Sequence, residues 1–327
     1  MTERHGASKR CIPTNKNALP CVKNVMRYLS EISFKKVVLG QHTQSRGQEE
    51  LSYIKSVTGK LPALVGFELL SYSPNINYLD TDEECMKEVS DNYGTLRNAW
   101  EWADKKGLIT FTWHWFSPLG GRSKSFFSKF TDFDSVKASE QGTEEYNAML
   151  SDIDCMAGLL RPFCDAQIPI LWRPFHEGEG DWFWWSAGGK ENLKKLWRIL
   201  YDRMTYHHKL NNLIWVWNSP AADGYPGDDT VDIISRDMYP PAHEHTSRKE
   251  SYDELIKITD TPKIALIGET GTLPSPEKIV AEGAGWASFM TWSHEWCMSE
   301  KYTDNAALKA IYDSEYSVAK DNLPKLY

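Results

Sequence analysis

Two glutamates, Glu177 and Glu269, each stand at the end of a short apolar segment of the chain. Short, nearly continuous apolar segments are typical of parallel strands that are covered on both faces. If two such strands lie on opposite walls of one barrel, the carboxyl groups at their ends can face each other across its mouth. Two facing carboxyl groups can hydrolyse a glycosidic bond, because one protonates the leaving oxygen while the other attacks the sugar or activates water. Two structural carboxylates paired with arginine are the alternative interpretation.

Eight short apolar segments alternate with longer amphipathic segments, a pattern that predicts βαβ units and a parallel sheet. We predict strands at residues 37–41, 63–68, 108–114, 168–177, 213–218, 231–238, 264–269 and 288–292. The clearest predicted helices are residues 82–106, 143–164 and 192–209, and residues 116–134 are expected to form a long loop. We therefore predict an α/β fold, a single (β/α)8 TIM barrel over residues 21–327, after an irregular tail over residues 1–20.

Polar and aromatic side chains stand at the predicted C-terminal ends of nearly all the strands, where barrel enzymes build their active sites. In chain order they are His42, Glu68, His114, His176, Glu177, Asn218, Asp237, Tyr239, Glu269 and Trp292. Burying so many polar groups without a purpose would cost free energy. By strand alternation, Arg173 should face the same side as Glu177. It could pair with Glu269 and keep that carboxyl ionised, and Tyr239 could donate a hydrogen bond to the same group. Either side chain could instead fill the barrel.

Composition and charge exclude several classes of protein. The 327 residues are 41% hydrophobic and 25% charged, and the net charge of −8 disfavours nucleic acid or an anionic membrane as a partner. Fourteen tryptophans suit stacking on sugar faces but also fill cores, and core filling is the favoured interpretation. The six cysteines include no CxxC pair, although Cys11 and Cys21 flank a loop and could form a disulfide.

The segment that ends the fourth predicted strand, residues 172–185, reads WRPFHEGEGDWFWW. It resembles the acid/base motif R-P-x-H-E-x-x-G-x-W-F-W-W of glycoside hydrolase family 26, whose members are mainly β-mannanases. Other segments are similar to the strand ends of that family: residues 112–115, 211–217, 237–240, 268–271 and 289–292. Ser186 and residues 293–296 depart from the family pattern. These departures lie near expected sugar contacts, so they bear on substrate detail more than on the reaction.

The resemblance implies a retaining glycoside hydrolase in which Glu177 is the acid/base and Glu269 the nucleophile. It also implies that His176 hydrogen-bonds the nucleophile or a sugar hydroxyl near the cleavage point. No cofactor and no metal ion are expected. The residues expected to bind substrate are His114, Arg173, His176, Trp182, Asp237, Tyr239 and Trp292. Among them, Trp182 follows a glycine-containing turn and should form a sugar platform, and Trp292 should form the floor beneath the sugar that is cleaved.

The expected substrate is a β-1,4-mannan that is cut internally, because family 26 consists mainly of β-mannanases. β-1,3-Xylan and mixed-linkage β-glucan remain alternatives, since relatives in the family act on them, and so does a non-catalytic carbohydrate-binding barrel. A polymeric substrate implies secretion. Because the first 25 residues lack the apolar core of a signal peptide, that peptide is expected to precede the present numbering. We expect a monomer that binds β-mannan and neither nucleic acid nor membrane.

Two rival sites have less support. Glu179 follows Glu177 by two residues, but it lies between two glycines, and a rigid strand end suits catalysis better. Residues 243–245 read His-Glu-His, which resembles a metallohydrolase pattern. They follow two prolines in a polar loop, where no fixed ligand geometry is expected, and we predict no metal site there.

Overall fold

The computed structural model describes residues 11–327, and these residues form a closed barrel of eight parallel strands surrounded by helices. The strands are β1 (Val37–Thr43), β2 (Leu64–Glu68), β3 (Leu108–Thr112), β4 (Ile170–Arg173), β5 (Leu213–Asn218), β6 (Ile233–Met238), β7 (Ile264–Thr270) and β8 (Trp286–Thr291). Each strand pairs in parallel with the next, and β8 pairs with β1 to close the ring. The predicted TIM barrel is therefore confirmed. A short additional strand, β9 (Ser317–Val318), pairs with the start of β1.

The helices of the described chain are α1 (Pro20–Ile32), α2 (Glu49–Thr58), α3 (Glu83–Asn92), α4 (Thr95–Asp104), α5 (Glu144–Asp165), α6 (Trp184–Ala187), α7 (Lys190–Asp202), α8 (Lys249–Leu255), α9 (Pro276–Ala281) and α10 (Asn305–Asp313). The predicted helix 82–106 is wrong in one respect, because Gly94 adopts a φ of 94° and divides it into α3 and α4. The predicted helix 192–209 ends early as an α-helix, and Arg203–His207 continues it as a π-helix. The predicted helix 143–164 corresponds to α5, whose N-terminus is capped by the hydroxyl of Thr143.

Strand alternation divides the apolar side chains of the barrel into two layers. Val38, Leu64, Leu108, Leu171 and Ile214 belong to a cluster that also contains one face of α1. The intervening positions, such as Leu39, Val65, Ile109, Ile170 and Trp172, pack with the surrounding helices instead. Helix α1 thus packs on the inward-facing residues near the start of the strands, at the end of the barrel opposite the predicted site.

Tryptophan fills much of the core, as predicted. Nine of the 14 tryptophans are fully buried: Trp113, Trp115, Trp172, Trp184, Trp185, Trp197, Trp215, Trp217 and Trp286. Trp113 and Trp115 stack with their ring centroids 4.0 Å apart, and Trp184 packs edge-on against Trp115. Because these rings lie in and behind the segments that end β3 and β4, they hold those segments in place.

The N-terminal region and the cysteines can be compared with the prediction only in part. Residues 1–10 of the predicted tail lie outside the described residues, and residues 11–19 form turns before α1 begins at Pro20. No disulfide joins any of the six cysteines, all of which fall within residues 11–327, so the suggested Cys11–Cys21 disulfide does not form. Within the same range, no helix has the length and apolar character needed to span a membrane.

Candidate active site

The chain leaves β4 earlier than the sequence predicts. The strand ends at Arg173, and both Phe175 and Glu177 adopt positive φ angles, of 48° and 53°. Strand alternation therefore does not extend to these residues, and the predicted strand 168–177 is wrong at its end. Phe175 is buried against Trp115 instead of facing the cleft. The left-handed conformation of Glu177 is unfavourable for a residue with a Cβ, and such strain is found at functional sites.

Glu177 is held at this bend by β5. Its backbone N–H donates to the side-chain oxygen of Asn218 at 2.8 Å, and the N–H of Gly178 donates to the carbonyl of Asn218 at 3.2 Å. Trp182 donates its indole N–H to a carboxylate oxygen of Glu177 at 2.7 Å. The backbone is thus fixed from one side and the carboxyl group from the other.

The two glutamates lie close together at the same end of the barrel. A carboxylate oxygen of Glu177, one of Asp237 and one of Glu269 all lie within 4.8 Å of one another. The predicted juxtaposition of strand ends β4 and β7 is therefore present in the fold. Three carboxylates at such distances could also hold a cation, but Arg173 already forms ion pairs with Asp237 and Glu269 there.

Glu269 is surrounded by groups that favour its ionised form. Arg173 donates from Nη2 to Glu269 Oε1, and Tyr239 donates its hydroxyl to Oε2 at 2.7 Å. Burial alone would raise the pKa of Glu269, but the charge of Arg173 and these hydrogen bonds outweigh it and hold the pKa below its usual value. The pairing expected for Arg173 and Tyr239 is present, and Arg173 also donates to Thr112 at 2.8 Å.

Asp237 holds Arg173 from the other side. Arg173 Nη1 donates to Asp237 Oδ2 at 2.9 Å, and Asn218 donates to Oδ1 at 2.8 Å. Burial raises the pKa of Asp237 by more than Arg173 lowers it, and the negative charge of Glu269 adds to the rise. This packing requires a glycine at position 268, because a Cβ there would lie 2.5 Å from Asp237 Oδ1. Asp237 is thus a buried partner of Arg173.

The surroundings of Glu177 favour its protonated form, in contrast to those of Glu269. Burial, and then the negative charge of Glu269, raise the pKa of Glu177, and the hydrogen bond from Trp182 lowers it by less. Burial is the larger of the two causes of this rise. A carboxyl group with a raised pKa and one with a lowered pKa therefore face each other, which is the arrangement that acid and nucleophile roles require.

Two histidines, His114 and His176, lie next to each other near these carboxylates. His114 contacts Glu68 through Nδ1 at 2.8 Å, and its Nε2 lies 3.1 Å from Nε2 of His176. Burial would lower the pKa of His114, but Glu68 and the charges of Glu269 and Glu177 together raise it by more. Burial and the neighbouring His114 hold the pKa of His176 well below its usual value. His114 therefore takes up a proton at a higher pH than His176 does. His176 contacts His114 and not Glu269 among the hydrogen bonds of the described chain.

Trp292 and His42 complete this end of the barrel. Their rings lie 4.7 Å apart, and the ring of Trp292 lies 6.1 Å from that of His114. Burial lowers the pKa of His42 to about 3, so it is neutral, and its Nε2 lies 3.4 Å from Arg173 Nη2. Trp182 is 42% exposed and Trp292 is half-buried, so both can offer surface to a ligand.

Three residues of the network were predicted at strand ends but were not among the expected catalytic or substrate-binding residues. Glu68, His42 and Asn218 are fully buried and contact His114, Arg173 and Glu177. Their position at strand ends was visible in the sequence, but nothing there showed which partner each would reach. Glu179 lies in the turn after Glu177, and its Oε2 accepts no hydrogen bond within residues 11–327.

The His-Glu-His segment at residues 243–245 forms no metal-binding group among the residues that the structure describes. Glu244 pairs with Arg248 at 2.6 Å, and His245 contacts the carbonyl of Leu273 at 2.6 Å. A second group of possible ligands, Asp154 with His207 and His208, includes no residue of the candidate active site, and Asp154 is already paired with Arg203.

The sequence profile of glycosyl hydrolase family 26 matches residues 14–322, nearly the whole chain. The chain belongs to glycosyl hydrolase family 26. This family 26 chain is similar to a mannan endo-1,4-β-mannosidase of Thermothelomyces thermophilus, with 35% identity over 94% of this chain and 62% of the relative. It is also similar to mannan endo-1,4-β-mannosidase B of Piromyces sp., with 32% identity over 95% of this chain and 53% of the relative. The chain thus spans little more than half the length of these relatives.

Solved structures of family 26 share the fold. The Podospora anserina GH26-CBM35 β-(1,4)-mannanase superimposes with a TM-score of 0.85 at 35% identity, covering 97% of this chain and 69% of that chain. A β-mannanase from a symbiotic protist of the termite Reticulitermes speratus, solved in complex with a gluco-manno-oligosaccharide, gives a TM-score of 0.85 at 29% identity, covering 96% of this chain and 98% of that chain. Both superpositions cover nearly all of this chain.

Proposed function

We propose that the chain is an endo-acting, retaining hydrolase of β-1,4-mannosidic bonds in mannan, glucomannan or galactomannan. The observation that supports the mechanism most is the separation of at most 4.8 Å between an oxygen of Glu177 and one of Glu269. Retaining enzymes place their two carboxyl groups about 5–5.5 Å apart, whereas inverting enzymes need about 6.5–9.5 Å to admit a water molecule. The separation of this pair is closer to the retaining than to the inverting arrangement.

In the first step, Glu269 attacks the anomeric carbon and Glu177 gives its proton to the leaving oxygen. The glycosidic C–O bond breaks, a glycosyl ester forms on Glu269, and the leaving sugar departs with the proton. In the second step, the Glu177 carboxylate takes a proton from water, which attacks the anomeric carbon and releases Glu269. The sugar keeps its anomeric configuration because the carbon is inverted twice.

The environment of each carboxyl group suits its proposed role. Arg173 and Tyr239 keep Glu269 ionised and aim its oxygens, so that it enters the reaction as a nucleophile. Burial keeps the proton on Glu177 to a higher pH, so that it enters as an acid. Once Glu269 is esterified it loses its charge, and the pKa of Glu177 falls, which favours its change to a base.

The aromatic and polar residues around the glutamates position the sugars. Trp292 forms the floor beneath the sugar that is cleaved, and Trp182, which donates to the acid itself, supports the sugar on the leaving side. Asp237 positions Arg173. His114 and His176 lie on the side of the cleft toward β3, where they can hydrogen-bond hydroxyls of the substrate.

Mannan is the proposed substrate because the similar proteins are mannan endo-1,4-β-mannosidases. Mannose differs from glucose in its axial hydroxyl at C2, and a site built to bond that group rejects sugars that misplace it. His176, directly before Glu177, and Glu269 are the proposed contacts near that hydroxyl. Since a polysaccharide lies outside the cell, we further propose that the protein is secreted. We also propose that it acts as a monomer.

The test is a comparison of initial rates on galactomannan, glucomannan, β-1,3-xylan, mixed-linkage β-glucan and cellulose, with Glu269→Gln as the inactive control. We expect the two mannans to be hydrolysed much faster than the others, with viscosity falling ahead of reducing-end release. Faster turnover of either non-mannan polymer would assign the substrate to that polymer and leave the two-glutamate mechanism in place. Binding without hydrolysis would support a non-catalytic barrel.

A further inference from the structure

Three aromatic rings pack together next to Glu269, in the segments that follow β6 and β8. Trp296 contacts both of the others: its ring centroid lies 4.9 Å from that of Tyr239 and 4.0 Å from that of Tyr302. Tyr239 in turn donates its hydroxyl to Glu269 Oε2 at 2.7 Å. Trp296 is thus connected to the proposed nucleophile through one intervening ring.

The backbone around Tyr239 offers little to hold its side chain in place. Tyr239 directly follows β6, and the next two residues are Pro240 and Pro241, which have no backbone N–H to donate. Tyr239 is 41% exposed, although its hydroxyl reaches the buried carboxylate of Glu269. The position of this ring therefore depends on side-chain contacts such as the one with Trp296.

Gly271 shows how closely the rings of Trp296 and Tyr239 are packed. It directly follows β7, two residues after Glu269, and a Cβ at this position would lie 2.6 Å from Cε3 and Cζ3 of Trp296. The same Cβ would lie 3.3 Å from Cδ1 of Tyr239. Both rings therefore lie against one stretch of backbone, at the end of the strand that carries the proposed nucleophile.

The segment that carries Tyr302 is itself fixed to the neighbouring loops. The carbonyl oxygen of Tyr302 accepts a hydrogen bond from the backbone N–H of His243 at 2.8 Å, in the loop after β6. The hydroxyl of Thr303 accepts one from the backbone N–H of Leu273 at 3.1 Å, in the loop after β7. Trp296 is therefore supported by a ring that two loops of the barrel hold in place.

We propose that Trp296 is a positioning residue, whose ring holds Tyr239 where the tyrosine hydroxyl can donate to Glu269. This inference rests on the proposed function, in which Glu269 attacks as a carboxylate. Without the ring of Trp296, Tyr239 can turn toward solvent, and Glu269 loses a hydrogen bond that lowers its pKa. Residues 293–296 depart from the family pattern in sequence, and this contact gives that segment a part in the reaction.

The acidic limb of a kcat/KM profile reports this loss, because it reports protonation of Glu269. The other titratable or charged groups that act on Glu269, or on which it acts, come from β1, β3, β4 and β6: His42, His114, Arg173, Glu177 and Asp237. Replacing Trp296 by leucine changes no charge, and among the described rings Trp296 contacts Tyr239 and Tyr302 alone. The substitution should therefore act on Glu269 through Tyr239.

The test is a double-mutant cycle of Trp296→Leu and Tyr239→Phe, with kcat/KM measured against pH on a soluble manno-oligosaccharide. With Tyr239 present, Trp296→Leu should lower kcat/KM about tenfold, since a hydrogen bond to a charged group is lost, and move the acidic limb to higher pH. In the Tyr239→Phe background, the same substitution should leave the acidic limb in place and change kcat/KM by less than about twofold.

Three further variants separate positioning from damage to the loop. Trp296→Phe keeps a ring against Tyr239 and should retain most of the activity and the wild-type acidic limb. Glu295→Gln, at the exposed position before Trp296, is the matched control and should behave as wild type. Gly271→Ala presses on both rings without removing either and should move the acidic limb in the same direction as Trp296→Leu. It carries the test if Trp296→Leu is too unstable to assay.

The inference is overturned if Trp296→Leu lowers kcat/KM by the same factor with and without the Tyr239 hydroxyl. It is also overturned if the acidic limb stays in place in both Trp296→Leu and Gly271→Ala, or if Glu295→Gln reproduces the effect. In those cases continued hydrolysis of mannan by the wild type leaves the proposed function intact, whereas inactivity of the wild type on every mannoside contradicts both.

Discussion

Glu177 and Glu269 lie in one site, but their surroundings shift their pKa values in opposite directions. Glu269 accepts hydrogen bonds from Arg173 and Tyr239, and its pKa is lowered, whereas Glu177 is buried beside that negative charge, and its pKa is raised. The acidic limb of a kcat/KM profile should therefore report protonation of Glu269, and the alkaline limb should report loss of the proton from Glu177. Activity is expected between these two pKa values.

The hydrogen bond from Trp182 gives a way to move one limb alone. Because it stabilises the carboxylate of Glu177, Trp182→Phe should raise the pKa of Glu177 and move the alkaline limb to higher pH. The acidic limb should stay, since Trp182 does not contact Glu269. Measurement of kcat/KM against pH on a soluble manno-oligosaccharide checks this, with the exposed Trp100→Phe as control. An unmoved alkaline limb would show that Trp182 does not act on the acid, and a shift to lower pH would show that Trp182 favours its protonated form.

At this scale the sequence predicted the residue types better than their contacts. Strand alternation was sufficient to suggest that Arg173 pairs with Glu269, because Arg173 is still within β4. It could not predict the position of Glu177, since the chain turns through two left-handed residues after Arg173. It also gave no means to pair His114 with Glu68, because that contact depends on the curvature of the barrel.

At the scale of strands, the neighbouring strands β1 and β2 pack closely at Gly66. A Cβ on Gly66 of β2 would lie 2.3 Å from Nδ1 of His42 on β1, and His42 packs under Trp292. Gly66→Ala should therefore displace His42, lower the free energy of unfolding by about 1–3 kcal/mol and lower kcat on mannan. Gly158→Ala, on the exposed side of α5 with no atom near the added Cβ, should instead be neutral or stabilising by up to about 1 kcal/mol.

Denaturant unfolding of both glycine variants, with mannan hydrolysis measured on the same preparations, checks this expectation. Equal stability of the two variants would show that the barrel accommodates a methyl group beside His42.

The loop after β3 is anchored to α5 by a buried carboxyl group. Asp152 accepts hydrogen bonds from Trp115 at 2.7 Å and Asn75 at 2.9 Å, and burial raises the pKa of Asp152 to about 7. The unfolded chain has the lower pKa, so the native state binds an extra proton between about pH 4 and pH 7, and stability falls as pH rises through that window. The full effect is at most about 4 kcal/mol.

Asp152→Asn removes the ionisation while keeping a side chain that can accept from Trp115. The variant should be more stable than wild type at pH 8, and the difference should shrink as pH falls to about 5. Urea unfolding at the two pH values measures it. If the free energies of unfolding of variant and wild type differ equally at both pH values, Asp152 is ionised in the native state. Groups other than Trp115 and Asn75 would then stabilise its charge.

The elements show where sequence patterns are informative and where they are not. Apolar segments located all eight barrel strands to within a few residues, because strands covered on both faces must be apolar. The division of helix 82–106 at Gly94 was missed because a single glycine is tolerated in many helices. The π-helix at Arg203–His207 leaves no periodicity of its own in so short a segment.

For the molecule as a whole, one end of the barrel contributes to stability and the other carries the candidate active site. Helix α1 packs on the inner apolar cluster, and Met26 is fully buried there, whereas the glutamates lie at the C-terminal ends of the strands. Met26→Ala should lower the free energy of unfolding by about 2–5 kcal/mol, because it leaves a cavity, without changing KM or kcat on mannan well below the melting transition. The control is Lys23→Ala, at an exposed position of the same helix.

Denaturant unfolding and steady-state kinetics on the same preparations check this separation. A change in KM with unchanged stability would show that the two ends of the barrel are coupled.

Double displacement through Glu269 is tested most directly by trapping the glycosyl ester. A 2-deoxy-2-fluoro-β-mannosyl fluoride slows both steps but keeps a good leaving group, so the intermediate should accumulate and inactivate the enzyme. Mass spectrometry of the intact protein should show one added fluoromannosyl group, and peptide mapping should place it on Glu269, with none on the Glu269→Gln variant. A label on Glu177, Glu179 or Asp237, or turnover to a product of inverted configuration without any label, would contradict the account.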